Sequence, residues 1–125
     1  MKGENIQGRT AALANRILNL SKALPRDYNS QVLSRQIVRS STSVGANYRA
    51  ACRSKSRRDF INKLKIVEEE LDETIYWLER IRDSGIFEKE RMRPLLDECD
   101  QLLAIIVKSI VTARRNERFN SGIGA

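Results

Sequence analysis

Apolar residues return every three or four positions in four separate runs along the chain. In the first, Leu13, Ile17, Leu20 and Leu24 recur with Ala14 and Leu18 beside them, the spacing of one face of an amphipathic helix. Pro25 stops that run, because the residue before a proline is pushed out of the α region. The run predicts a helix over 8–24. The second run, Leu33, Ile37, Val44, Tyr48 and Ala51 with Ser41 filling the gap, predicts a helix over 30–52, for which Asn29 or Ser30 supplies the N-cap. The third, Phe60, Leu64, Val67, Leu71, Thr74, Ile75, Leu78 and Ile81, predicts a helix over 56–84. Ser54 or Ser56 caps its start, and Gly85 takes the C′ position after its end. The fourth, Leu95, Leu96, Cys99, Leu102, Leu103, Ile106, Val107, Ile110 and Val111, predicts a helix over about 90–116, with Pro94 close to its start. Residues 117–125 read as a loose tail. Short links between long helices make antiparallel neighbours. The pattern therefore predicts a single all-α domain over 1–125, an up-down-up-down antiparallel four-helix bundle.

Two stretches depart from a plain core pattern. On helix 2 a polar stripe, Gln36, Ser40, Ser43 and Asn47, runs beside the apolar face at spacings of four, three and four. Ser, Thr and Gly from Ser40 to Gly45 each cost several tenths of a kcal/mol of helix propensity relative to Ala. Something tertiary must compensate. Either small side chains let a neighbouring helix come close while their hydroxyls bond back to their own backbone, or the stripe hydrogen-bonds a neighbouring helix or subunit. On helix 3, Ile61, Tyr76 and Trp77 lie off the core stripe, and an apolar second face with Tyr and Trp suits a subunit contact.

Charge changes the picture more than composition does. Charged residues make up 31% of the chain and the net charge is +7. Its distribution is uneven: Met1–Tyr48 carries +5, Arg49–Lys65 carries +6 in seventeen positions, Ile66–Asp100 carries −7, and the remainder +3. Arg49, Arg53, Lys55, Arg57, Arg58 and Lys63 are the centre of the basic run. Like charges this dense repel, and a polyanion relieves the cost. The same run also reads as a solvated surface or as one half of a charge pairing between subunits.

The run Gln36-Ile37-x-Arg39-Ser40-x-x-Ser43-Val44-Gly45-Ala46-Asn47-Tyr48 resembles the signature of the bacterial four-helix-bundle proteins, also called 23S rRNA intervening-sequence or S23-type proteins. Ser56-Arg57-Arg58-Asp59-Phe60-Ile61 and the segment from Glu68 to Thr74 fit the same family, and the resemblance spans about residues 9–116. Gln36, Arg39, Ser40, Ser43 and Asn47 are then the family motif on helix 2. Many members carry Ile-Ala-Glu-Gly after the Asn, where this chain has Tyr48-Arg49-Ala50-Ala51, so no role of that Glu carries over. The resemblance implies a homo-oligomer, a pentameric ring, and an accessory role beside nucleic acid and a protein partner.

Catalytic and metal chemistry find little to work with. Histidine is absent, which removes the commonest general base and the commonest metal ligand. The acidic run Glu68, Glu69, Glu70, Asp72 and Glu73 lacks the Glu-x-x-His partners of a di-iron bundle site. It reads as a solvated face. Ser43 and Cys52 have no base to activate them. No cofactor, no metal and no enzyme activity is expected. Cys52 and Cys99, in a chain without a signal-peptide pattern or an apolar run near 20 residues, point to a reduced, cytoplasmic protein that does not enter a membrane. The expected function is a non-enzymatic oligomeric RNA- or DNA-binding accessory protein; the alternative is a protein-interaction scaffold without nucleic acid.

Overall fold

In the computed structural model the backbone is described from residue 2 to residue 124 and the side chains from residue 5 to residue 116. Four helices, α1 (Lys2–Lys22), α2 (Tyr28–Cys52), α3 (Arg57–Ser84) and α4 (Lys89–Gly124), account for nearly all of it. Spatial neighbours are α1–α2, α2–α3, α3–α4 and α4–α1, so chain order is also the order around the bundle. This is the up-down-up-down arrangement expected from short links. No helix among the described residues is long and apolar enough to cross a membrane.

The ends of the helices follow local chemistry. Asp27 caps α2, its Oδ2 accepting from the Ser30 amide at 3.1 Å, two or three residues before the Asn29 or Ser30 read from sequence. Ser56 caps α3 by accepting from the Asp59 amide at 3.1 Å, and Gly85 closes it at φ 78°, a left-handed conformation that glycine adopts without a Cβ clash. Two ends run further than the pattern predicts. Helix α1 starts at Lys2 rather than near residue 8, because Ile6 continues its buried stripe while Gly8 faces open space, where glycine interrupts no packing. Helix α4 continues to Gly124 through the segment read as a loose tail. Between Pro94 and Gly122 it meets neither proline nor glycine to stop it.

The core is built from the predicted stripes, with two corrections. Ile61, expected at a subunit face, is 6% exposed and belongs to the core, while Phe60, expected inside, is only half-buried. The first turn of α3 is rotated so that Ile61 enters the α3–α4 seam, beside Arg114. On α4 the apolar face is narrower than its sequence. Cys99, Leu102, Ile106 and Ile110 are buried, but Val107 and Val111 stand 40% and 48% exposed.

Helix α2 touches a neighbour on both flanks through small side chains. Toward α3, Thr74 Oγ1 donates to Ser40 Oγ at 2.9 Å, and both residues are fully buried. Toward α1, the Ser21 and Ser34 hydroxyls meet at 2.7 Å, and a Cβ on Gly45 would stand 3.5 Å from Thr10 Oγ1. Ser40, Ser41 and Thr42 also bond back to carbonyls of Ile37, Val38 and Arg39. Both sequence readings of the stripe therefore hold, for different residues. The α4–α1 seam is the loosest of the four. A forked ion pair pins it, Arg9 donating to both Glu98 carboxylate oxygens at 3.0 and 2.7 Å and to Gln101 Oε1 at 3.1 Å.

Ser40→Leu forces a large side chain into the α2–α3 contact and is expected to destabilise the fold by roughly 1–3 kcal/mol, read by urea denaturation. Ser43→Leu, at a half-buried position, is expected to cost clearly less; equal losses would place both residues at the same depth. The second expectation concerns acid. The Arg9 hydrogen bond holds the Glu98 carboxyl below its ordinary range, against desolvation. A carboxyl depressed in the folded state stabilises above its unfolded value, about 4.3, and loses that contribution as pH falls through the folded value. Glu98→Gln is therefore expected to lower stability at pH 7 by about 1 kcal/mol and to flatten the decline below pH ~4. An unchanged acid profile would remove the pair from the stability of this seam.

Candidate nucleic-acid interface

The α2–α3 turn is held by its backbone, which leaves its side chains to solvent. The Arg53 amide donates to the Ala50 carbonyl and the Ser54 amide to the Ala51 carbonyl, Ser54 Oγ donates to the Ala50 carbonyl at 3.3 Å, and Ser56 caps the next helix. Arg49, Arg53, Lys55, Arg57 and Arg58 are all exposed around it. Among the described residues none of these five makes an ion pair, whereas Arg9, Arg39, Lys63, Arg80, Arg82 and Arg93 do. Lys63, the sixth residue of the expected set, is paired. Its Nζ donates to Asp59 Oδ1 at 2.9 Å one turn earlier, and that bond draws the Asp59 carboxyl below its usual range.

The fold adds cations from outside the basic run. In an up-down-up-down bundle the end of α2, the start of α3 and the end of α4 share one end. Arg114, outside the basic run by sequence, faces Arg58 and Lys65 across a cleft of about 220 Å³ that Ile61 and Asn62 also line. Lys108, Arg114 and Arg115 are exposed on α4. Antiparallel topology itself was the signal that brings them to the patch. At the opposite end of the α3–α4 seam, Glu79, Asp83, Asp97 and Asp100 mix with Arg82, Lys89 and Arg93.

The helix 2 motif divides by depth. Ser40 is buried against Thr74, and Arg39 crosses to α3, pairing with Glu70 at 3.3 Å and with Glu73. Ser43 and Asn47 pair with each other, Asn47 Nδ2 donating to the Ser43 carbonyl and hydroxyl at 2.9 Å each. Gln36 is half-buried. Part of the acidic run is thereby tied to α2. The other surface expected to matter holds Tyr76, 50% exposed, with its ring edge-on to Trp77 at 5.0 Å and the Arg80 guanidinium 5.1 Å from its centre. Trp77 is half-buried, and its indole N–H donates to Glu73 at 3.2 Å.

Tyr48 and Cys52 lie one turn apart beneath the turn. Burial pushes the Tyr48 phenol up to about 12, with Cys52 adding to it. No group of three His, Cys, Asp or Glu side chains among the described residues is placed to hold a metal ion. The arrangement can attract and hold polyanions.

The architecture defines the class: a four-helix-bundle protein with a cluster of exposed cations around the α2–α3 turn. Within that class the chain belongs to the family described as 23S rRNA-intervening sequence protein, which it matches over residues 5–108. It is also similar to a crystal structure from the S23 ribosomal protein family of Bacteroides thetaiotaomicron VPI-5482, a protein of unknown function. The two are 36% identical, the match covers 88% of this chain and 98% of that one, and the TM-score is 0.82. No curated protein matches the chain significantly.

The cysteines give a direct check on burial. Cys52 is exposed, whereas Cys99 is buried and its thiol is pushed up to about 12 by that burial. A chromogenic disulfide reagent at pH 8 is expected to titrate Cys52 alone in the folded protein and both cysteines after unfolding. Prompt reaction of both without denaturant would show that α4 does not seal Cys99.

Proposed function

We propose that this protein is a non-enzymatic, homo-oligomeric accessory factor that holds RNA or DNA by its phosphates at the cationic end of the bundle. The observation that carries the reading is the convergence of Arg49, Arg53, Lys55, Arg57, Arg58 and Arg114 on one end, none of them in an ion pair among the described residues. Solvated charge is usually interspersed with the opposite sign; here the acids of α3 are partly engaged with Arg39, away from this end. RNA is favoured as the polyanion by the association of the family with 23S rRNA. Such contacts position a backbone without reading bases, so sequence preference is weak. The pentameric ring suggested by the family resemblance repeats the patch around a rim. Exposed Tyr76, Ile66, Val107 and Val111 supply apolar surface for subunit contacts. A cytoplasmic site fits the free cysteines.

A labelled RNA and a labelled duplex DNA, titrated by fluorescence anisotropy across a salt series, test the proposal. Log affinity is expected to fall linearly with log salt, by roughly 0.7 to 0.9 per neutralised phosphate. Joint replacement of Arg53, Lys55, Arg57 and Arg58 by Gln is expected to flatten that slope, while Glu69→Gln with Asp72→Asn leaves it unchanged. Light scattering on the same samples is expected to give several times 14.3 kDa. No binding at ~50 mM salt, where electrostatic association is strong, would leave a scaffold held together by subunit contacts. A monomer mass would remove the ring.

A further inference from the structure

The cationic turn opens into a groove that electrostatics alone does not explain. Where the start of α1, the first turn of α3 and the later part of α4 converge, they enclose a cleft of about 550 Å³. That volume lies in the range of small-ligand pockets, about 300–1,000 Å³. Its floor is apolar: Ile6, Phe60, Ile105 and Ala113. Arg57 and Lys108 stand at its rim, with Asn5, Ser109, Thr112 and Asn116, and among the described residues no carboxylate lines it. The groove has two structural causes. The α4–α1 seam is the loosest in the bundle, and the rotated first turn of α3 sends Ile61 into the core and leaves Phe60 half out.

The groove is also continuous with the turn. Arg57 and Phe60 line both it and a smaller cleft of about 310 Å³ bounded by Cys52, Ser54, Lys55 and Ser56. A strand tracked by Arg53 and Lys55 therefore passes directly over the opening. The chemistry asked of an occupant is specific: a flat apolar body, polar edges for Ser109, Thr112 and the Asn side chains, and an attached anion for Arg57 and Lys108. A nucleotide has all three. In a duplex the bases are paired and stacked, out of reach of such a groove, whereas an unpaired base stacks readily on an aromatic ring.

We infer that this groove receives an unpaired nucleotide, its base against Phe60 and its phosphates on Arg57 and Lys108, which makes single-stranded nucleic acid the preferred ligand. The inference rests on the nucleic-acid reading above. A second copy of the chain is the rival occupant, but one docking symmetrically here brings Arg57 and Lys108 against their own copies, with no carboxylate among the described groove residues to answer them.

The test compares a single strand with a duplex of equal length at one fixed salt concentration, the single strand carrying 2-aminopurine between purines. The single strand is expected to bind about tenfold more tightly, the size of one base–aromatic contact. The 2-aminopurine emission is expected to rise as the base leaves its stacked neighbours. Phe60→Leu, which keeps apolar volume but removes the aromatic face, is expected to abolish that preference and leave duplex binding intact. Thr112→Leu, at an exposed rim position, fills the groove mouth with neutral bulk and is expected to do the same should Phe60→Leu prove unstable. Equal affinities for strand and duplex, with silent 2-aminopurine, overturn the groove and leave the phosphate patch standing. Binding of neither at ~50 mM salt removes both readings. A fall in oligomer mass in both variants assigns the groove to a second copy and likewise overturns the inference.

Discussion

Two helices lie side by side only as closely as the side chains between them allow, and α2 satisfies that condition on both flanks at once. Ser40 meets Thr74 toward α3, while Ser34 and Gly45 meet Ser21 and Thr10 toward α1. Each contact costs helix propensity within α2 and returns it as contact area and satisfied hydroxyls. None of the buried polar side-chain atoms among the described residues is left without a partner. With α2 held centrally, α1 and α3 take fixed places on either side of it. The fourth helix closes the figure from the far side, where packing is sparser and an ion pair does more of the holding.

The same closeness sets where charge appears. Arg39 is close enough to α3 to engage Glu70 and Glu73, which draws part of the acidic run into the α2–α3 surface. Asp59 answers Lys63 within one helical turn. The cations of the turn and Arg114 of α4 meet no such acids among the described residues, and reversal of chain direction at each link carries them to a common end. A modest net charge of +7 thereby becomes a local positive field.

The helices and their order were legible because the 3–4 spacing is long and clean, and because Pro25 and Gly85 punctuate it. What the pattern could not give was rotation within a turn. Phe60 and Ile61 are adjacent apolar residues, and only packing against α4 decides which enters the core. Val107 and Val111 look like core on spacing alone but point past the edge of a narrower seam. The cationic turn was legible as a run in the sequence, while Arg114 was not, since it lies over fifty residues away and joins the turn only through topology. Lys63 shows the reverse: within the run by number, it is answered by Asp59.

The Arg9–Glu98 fork has a kinetic side as well. Most contacts in this bundle join helices that follow each other along the chain, and such local topologies assemble quickly. The fork joins residues 89 positions apart, so the entropy of closing that loop is met only after the hairpins exist. It is a late bond in assembly and an early one to yield in native-state fluctuation, when a sparsely packed boundary opens before the whole. The floor of the end groove is shared by α1 and α4, the two helices this fork joins. Breathing along that boundary would widen the groove while α2 and α3 stay packed, which turns a static cleft into one whose width is set by temperature, acid and salt.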